Sequence, residues 1–287
     1  MHVDVYIARQ PIFNYEKQIF FGYELLFRNN EVDDSYASDG SVGCASLTQG
    51  AAYMGFLRFI SGDVFARLHV RLGLVAPIGT GRISEGLYAV KTGAVNFYIY
   101  SKGDDYIALD SGIGTSAAIR ELGKLGIDPR SVSAVFLSHS DFDHMGGLQA
   151  FSNATVYLSH AEEQMVAGKR VRRLCIFRNK RIRRSYALLK DSDEVAAGSI
   201  KIEGIETPGH TPGSMSYLID DSILFVGDTF TLRKGLACPV ARIITMDPRA
   251  LDSSIRKLAA LDNVKLALTS HRGYTDDFYG ATLPYAY

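Results

Sequence analysis

Between residues 137 and 147 the chain reads Leu-Ser-His-Ser-Asp-Phe-Asp-His-Met-Gly-Gly. Two histidines and two aspartates, His139, Asp141, Asp143 and His144, fall within six residues. They follow Val132 to Leu137, an apolar run of the kind that forms a buried strand. A strand end aims its loop at a cleft, so these side chains can converge on one point. Neutral imidazole and carboxylate are the ligands that suit zinc and similar divalent ions. Gly146 and Gly147 are expected to let the backbone turn tightly into the next element.

Three further residues follow the same plan. His210 lies in Thr207-Pro208-Gly209-His210-Thr211-Pro212-Gly213, a rigid turn between strands. Asp228 follows the expected strand Ile223 to Val226, and His271 follows Val264 to Leu268. Each is the first polar, metal-capable residue past a strand end. Four of the chain's 7 histidines therefore share one pattern. Taken singly, His210 or His271 is as readily a satisfied core histidine, and Asp228 a turn residue. The cluster at 139–144 changes that balance.

The chain has 287 residues, and 47% of them are apolar, enough for one large domain or two small ones. Lys and Arg number 31, Asp and Glu 31, so no global field favours nucleic acid or an anionic membrane. Cys44, Cys175 and Cys238 lie far apart without metal-type spacing, which argues for a reducing compartment. No basic N-terminal segment leads into an apolar run, and no apolar run is long enough to span a bilayer. A cytoplasmic protein is the expectation.

Strands are expected at Val3 to Ala8, Gln18 to Phe27, Gly86 to Val90, Val95 to Tyr100, Tyr106 to Leu109 and Val132 to Leu137. Later strands are expected at Thr155 to Leu158, Ser199 to Ile205, Ser214 to Ile219, Ile223 to Val226 and Val264 to Leu268. Helical spacing appears over Ala45 to Ile60. It recurs over Thr115 to Leu125, where Ala118, Ile119, Leu122 and Leu125 form one apolar face and Gly126 suits the C′ position. Asp247-Pro248 opens a helix to about Leu261, with Asp as N-cap. Leu72 to Gly81, which holds Pro77, marks a domain boundary, giving segments 1–70 and 71–287. Alternating strand groups and helices imply stacked layers with two sheets inside.

The order and spacing of these motifs resemble the five-motif signature of the metallo-β-lactamase superfamily over about residues 82–287. Asp110 in Leu109-Asp110-Ser111-Gly112 matches its first motif and His139 to His144 the second. His210, Asp228 and His271 match the third, fourth and fifth. The resemblance implies an α+β fold, a four-layer αββα sandwich with a one- or two-metal site at one edge. Carried over by position, one metal takes His139, Asp141 and His210. The other takes Asp143, His144 and His271, with Asp228 bridging. Asp110 is expected to be structural rather than a ligand, and His160 likewise.

The family usually has histidine where this chain has Asp141. A carboxylate there adds negative charge and hardens the site, favouring iron or manganese, although zinc is the first choice. The resemblance implies hydrolysis by a metal-bound hydroxide, since metal binding lowers the pKa of water to about 7. Asp143 and Asp228 are the residues expected to orient it. An ester, thioester, lactone or phosphoester is the expected substrate.

Residues 169–184 hold nine Lys or Arg, usually a solvated loop, otherwise a basic rim selecting an anionic small molecule. Only Phe177 interrupts the run as an aromatic, so a nucleic-acid partner is poorly supported, though a nuclease or phosphodiesterase stays open. A homodimer is left open, and a membrane partner is not expected.

Residues 1–70 resemble something else. Val5 to Phe13, then Gly22-Tyr23-Glu24-Leu25-Leu26-Phe27-Arg28 and Asp39-Gly40, are similar to the opening of an EAL domain of the type fused to HDOD domains. A barrel of that kind needs about 250 residues, so only a partial EAL-like β/α segment is present, and no cyclic di-GMP phosphodiesterase activity is expected. A signalling or interaction protein with an inactive metal domain is the reading from a different class. An iron-dependent oxidoreductase is a further one.

Overall fold

Period-two burial on both faces of the central strands sets the architecture. The computed structural model describes residues 75–171 and 182–286, together with the backbone of two strands near the N-terminus. These two, β1 (Tyr6–Asn14) and β2 (Ile19–Arg28), pair antiparallel with Gln10 opposite Glu24. Both expected N-terminal strands are present, the first ending later than read. Contacts divide the chain into two compact units, Met1–Ala52 and Tyr53–Tyr287. The helix read at Ala45 to Ile60 and the first three residues of the Leu72 to Gly81 boundary lie outside the described residues.

The second unit holds two sheets. In the first, β3 (Gly81–Ser84), β4 (Leu87–Thr92), β5 (Val95–Lys102), β6 (Asp105–Leu109), β7 (Val132–Phe136), β8 (Thr155–Ser159) and β9 (Tyr186–Leu189) lie side by side in sequence order. Pairing is antiparallel up to β6 and parallel from β6 to β9. The second sheet starts with β10 (Glu194–Ala197), β11 (Ile200–Glu206), β12 (Met215–Ile219) and β13 (Ile223–Phe225). A separate hairpin follows, β14 (Phe230–Arg233) and β15 (Leu236–Pro239). The sheet is completed by β16 (Leu266–Thr269), parallel to β13, and β17 (Gly273–Thr275).

Alternation sorts the side chains into three cores. On β5, Phe97 and Ile99 point one way and Tyr98 the other; on β7 and the residue after it, Val135 and Leu137 oppose Ala134 and Phe136. Tyr98, Phe136 and Leu109 meet Ile202, Tyr217, Phe225 and Leu268 between the sheets. On the outer face of the first sheet, Phe97, Val135 and Leu158 pack against Ala118 and Leu122 of helix α1 (Thr115–Lys124). Three short or outer helices follow in the chain: α2 (Phe142–Met145), α3 (Glu163–Val166) and α4 (Pro248–Ala259). Leu251, Ile255 and Leu258 of α4, with Phe278 of α5 (Phe278–Thr282), cover Leu218 and Leu224 of the second sheet. The result is the expected α+β sandwich, layered helix, sheet, sheet, helix.

The two helix expectations within the described residues place the element and miss a detail. At α4, the Asp247 side chain accepts from the backbone of Arg249 and Ala250, and the helix ends at Ala259, two residues before Leu261. At α1, Gly126 is left-handed at φ +70° as read, but Ile119 is 48% exposed rather than on the buried face. Ala118, Leu122 and Leu125 repeat at four and three residues, whereas Ile119 is rotated about 100° away from Ala118. Glu121 is buried in its stead, accepting from Thr80 Oγ1 at 2.7 Å and Lys124 Nζ at 2.8 Å.

Two buried tyrosines pin the sheets together beside the strand ends. Tyr217 of the second sheet donates to the Leu137 carbonyl at 2.7 Å, and Tyr98 of the first to the Thr269 carbonyl at 2.7 Å. Among the described residues, no helix is long and apolar enough to cross a membrane.

Candidate metal centre

The C-terminal ends of β6, β7, β11, β13 and β16 lead into the segments holding Asp110, His139 to His144, His210, Asp228 and His271. The structure brings all seven sequence-predicted site residues together. His139, Asp141 and His210 form one group whose donor atoms lie within 4.8 Å of one another, and Asp143, His144 and His271 form another. A third, His139, His144 and Asp228, joins them.

The distances place Asp228 between the two groups. Its Oδ2 lies 3.4 Å from His210 Nε2 and 3.6 Å from His144 Nε2; its Oδ1 lies 3.4 Å from His271 Nε2. Asp141 Oδ2 is 3.4 Å from both His139 Nε2 and His210 Nε2. Asp143 Oδ2 is 3.7 Å from His144 Nε2 and 3.6 Å from His271 Nε2. A tetrahedral ion with bonds of about 2.0–2.1 Å needs donors roughly 3.3–3.4 Å apart. The two contacts of Asp141 already have that spacing, and the two of Asp143 are slightly wider.

In His139, His144 and His271 the outer ring nitrogen is committed elsewhere, which turns Nε2 inward. His271 Nδ1 donates to the Ala94 carbonyl at 2.9 Å, and His144 Nδ1 to Asp110 Oδ2 at 2.7 Å. Ser138 has one hydroxyl proton and gives it to Asp110 Oδ2 at 2.8 Å, so its oxygen accepts from His139 Nδ1 at 3.0 Å. These contacts fix tautomer and ring orientation from behind. His139 Nε2, His144 Nε2 and Asp228 Oδ1 are buried with no hydrogen-bond partner. Buried polar atoms are costly unless satisfied, so the donor set fits a cation.

Electrostatics point the same way. Burial, with His144 alongside, pushes His139 down to about 3, so its imidazole is neutral and ready to ligate. Burial opposes charge on His271, yet Asp228 and Asp143 outweigh it and lift the imidazole to about 9. Burial opposes charge on His144 too, and Asp143, Asp228 and Asp110 overcome it, raising it well above 6.5. Asp228, despite burial, is held well below the usual carboxylate range by His271 and His144. The carboxylates draw positive charge into the centre.

Asp110 behaves as expected, fully buried and one step behind His144. His160 is exposed and belongs to none of the donor groups. The glycine pair differs from expectation. Gly146 (φ −63°) and Gly147 (φ −90°) have ordinary backbone angles. Glycine is required there by contact, because a Cβ would overlap the Ile113 or Ser111 carbonyl. Ser138 was not singled out by sequence, although it sits one residue before His139 at the same strand end. Residues 172–181 of the basic run lie outside the described residues.

The model of the metallo-beta-lactamase superfamily matches residues 90–271. The chain belongs to that superfamily, and its fold is that of the metallo-β-lactamase hydrolases. It is similar to a probable polyketide biosynthesis zinc-dependent hydrolase, BaeB, of Bacillus velezensis, at 36% identity over 126 residues. That match covers 43% of this chain and 48% of the relative, so the chain spans about half of that protein's length. A probable metallo-hydrolase, YqgX, of Bacillus subtilis is 27% identical over 63% of this chain and 86% of its own length. An N-acyl homoserine lactonase of a Bacillus species is 33% identical over 34% of this chain and 37% of its own. Among solved structures, a metallo-beta-lactamase of Cronobacter sakazakii aligns with a TM-score of 0.55 at 22% identity, covering 69% of this chain and 80% of that one. This likeness is one of fold. The family match begins at residue 90 and lends no support to the N-terminal EAL-like resemblance.

Proposed function

We propose that the chain is a hydrolase that holds two divalent ions, one at His139, Asp141 and His210 and one at Asp143, His144 and His271, with Asp228 between them. The observation that carries this is the ring of inward Nε2 atoms and carboxylate oxygens spaced 3.4–3.7 Å apart. Such ions would lower the pKa of water and polarise the bond to be cleaved. Asp143 and Asp228 line the same centre, where their carboxylates would orient the attacking water. Asp110 and Ser138 hold His144 and His139 still. Zinc is the first choice, in keeping with the printed name of the BaeB relative. The hard carboxylate of Asp141 leaves iron and manganese as rivals.

The substrate we infer is a small ester, thioester, lactone or phosphoester. The lactonase among the relatives supports a carboxylic ester of some kind. The lysines and arginines at 169–184 favour an anionic molecule. A cytoplasmic site of action, the domain division near residue 70 and an EAL-like but inactive N-terminal segment rest on the sequence readings above. A chain starting near Leu72 that stays soluble and active would support the division.

Elemental analysis of protein purified without added metal tests the centre. About two zinc or iron ions per chain, falling to about one in His210→Ala, is the expected result. Protein that neither carries metal nor takes up added zinc, iron or manganese overturns the reading.

A further inference from the structure

Glu162 is fully buried, and its carboxylate is used by neither group of ligands. It stands in the turn between β8 and α3, at the same end of the first sheet as the metal centre. Oε1 accepts from Ser140 N at 2.9 Å and Ser140 Oγ at 2.6 Å. Oε2 accepts from Thr211 Oγ1 at 2.7 Å. Ser140 lies between His139 and Asp141, and Thr211 directly follows His210. One carboxylate therefore grips the immediate neighbours of three side chains that make up a single metal position.

The two loops come from opposite sheets, with Ser140 and Thr211 separated by 71 positions in sequence, so nothing local sets their mutual distance. The packing around Glu162 is tight on the His210 side. A Cβ on Gly213 would collide with the backbone nitrogen and Cα of Glu162. Thr211 is held in turn by Ser214, whose Oγ accepts from Thr211 N at 3.0 Å. The other metal position is braced by different atoms, Asp110 behind His144 and the Ala94 carbonyl behind His271.

Charge gives a second reason. Burying a carboxylate is expensive unless a cation or strong hydrogen bonds compensate it. Glu162 has hydrogen bonds from neutral donors, and among the described residues no lysine or arginine pairs with it. The cation that His139, Asp141 and His210 can hold would supply the balancing charge.

We propose that Glu162 is a positioning residue for the His139–Asp141–His210 metal position, locking its two loops together and setting its affinity separately from the other position. This rests on the two-ion reading given above. The test is a titration of metal-stripped full-length protein with Zn²⁺ against a competing chelator, repeated with Co²⁺ to follow the visible bands. Wild type takes up two equivalents. In Glu162→Gln, one equivalent is expected to weaken about 10–100-fold, the usual effect of removing an outer-shell partner, while the second keeps its affinity.

Thr211→Val removes one hydroxyl from the same carboxylate and should weaken that same equivalent. The double variant should be little worse than Glu162→Gln alone, because both changes break one link. If Glu162→Gln does not fold, Thr211→Val decides by the same asymmetry. Two unchanged equivalents, or an equal loss at both, overturn the role of Glu162 while leaving the metal centre intact. A wild type that binds no ion overturns the two-ion reading, and this one with it.

Discussion

At Asp110 both backbone and side chain are committed. The residue adopts φ +62°, a left-handed conformation that aspartate and asparagine tolerate better than most. Its carboxylate accepts from Ser138 N at 2.7 Å, Ser138 Oγ at 2.8 Å and His144 Nδ1 at 2.7 Å. Asp110→Asn suits the backbone equally well, so it isolates the side chain. An amide cannot accept from both Ser138 Oγ and His144 Nδ1 at the oxygen position it gives up. Leaving a buried donor unmet costs about 1–3 kcal/mol, and loss of a histidine's supporting partner costs about 10–100-fold in metal affinity. Chemical denaturation and a chelator competition would read the two effects. An unchanged metal affinity in Asp110→Asn would mean that His144 is oriented by its own loop.

Single elements show what the sequence made legible. Each ligand loop could be found because it starts where an apolar strand stops, a boundary visible in one stretch of chain. Helix α4 could be found from Asp247-Pro248 for the same reason. The hairpin β14–β15 escaped notice, though Lys234 and Gly235 turn it with φ +52° and +80°, and paired positive φ is the mark of a two-residue hairpin turn. Ser138 and Glu162 were unreadable in kind, because their partners Asp110 and Ser140 are 28 and 22 residues away. Gly147 shows the limit again, since its need for glycine comes from the Ser111 carbonyl of another loop. Gly147→Ala should therefore destabilise by about 1–3 kcal/mol through overpacking, with α2 displaced and metal uptake reduced. A variant with wild-type melting and metal content would show that the two loops can separate without cost.

The turn between β12 and β13 supplies a pH-dependent contact. Asp220 Oδ1 accepts from Lys201 N at 3.0 Å, and Oδ2 accepts from Tyr100 Oη and Lys102 Nζ at 3.0 Å each, so the residue ties the second sheet to the first. Burial works against its charge, but these donors hold its pKa below the ordinary 3.8. A folded pKa below the unfolded one adds stability above 3.8, and that stability is lost as pH falls through the folded value. Asp220→Asn should be less stable than wild type by about 1 kcal/mol at pH 7, with the gap closing in acid below 3.8. A gap that stays constant down to acid pH would show that the carboxylate's charge contributes nothing there.

For the molecule as a whole, the centre is a joint between sheets. Asp110, His139, Asp141, Asp143 and His144 follow strands of the first sheet, whereas His210, Asp228 and His271 follow strands of the second. Neither sheet alone offers a complete set at either metal position. The His139–Asp141 pair needs His210, and the Asp143–His144 pair needs His271. An ion bound at either position therefore links the layers as well as filling a site. Since the unfolded chain lacks this arrangement, metal binds the folded state preferentially and stabilises it by RT ln(1 + [M]/Kd), about 2.7 kcal/mol at a hundredfold excess over Kd. Stripping the protein with a chelator should lower its melting temperature. Adding metal back should raise it progressively, with the increment growing as the logarithm of free metal. Asp228→Asn, which weakens the contact shared by both groups, should blunt that response more than Asp141→Asn, which touches one group only. A melting temperature indifferent to chelator and to added metal would mean that the sheets close equally well without an ion. The seven side chains would then be a polar seam rather than a metal centre.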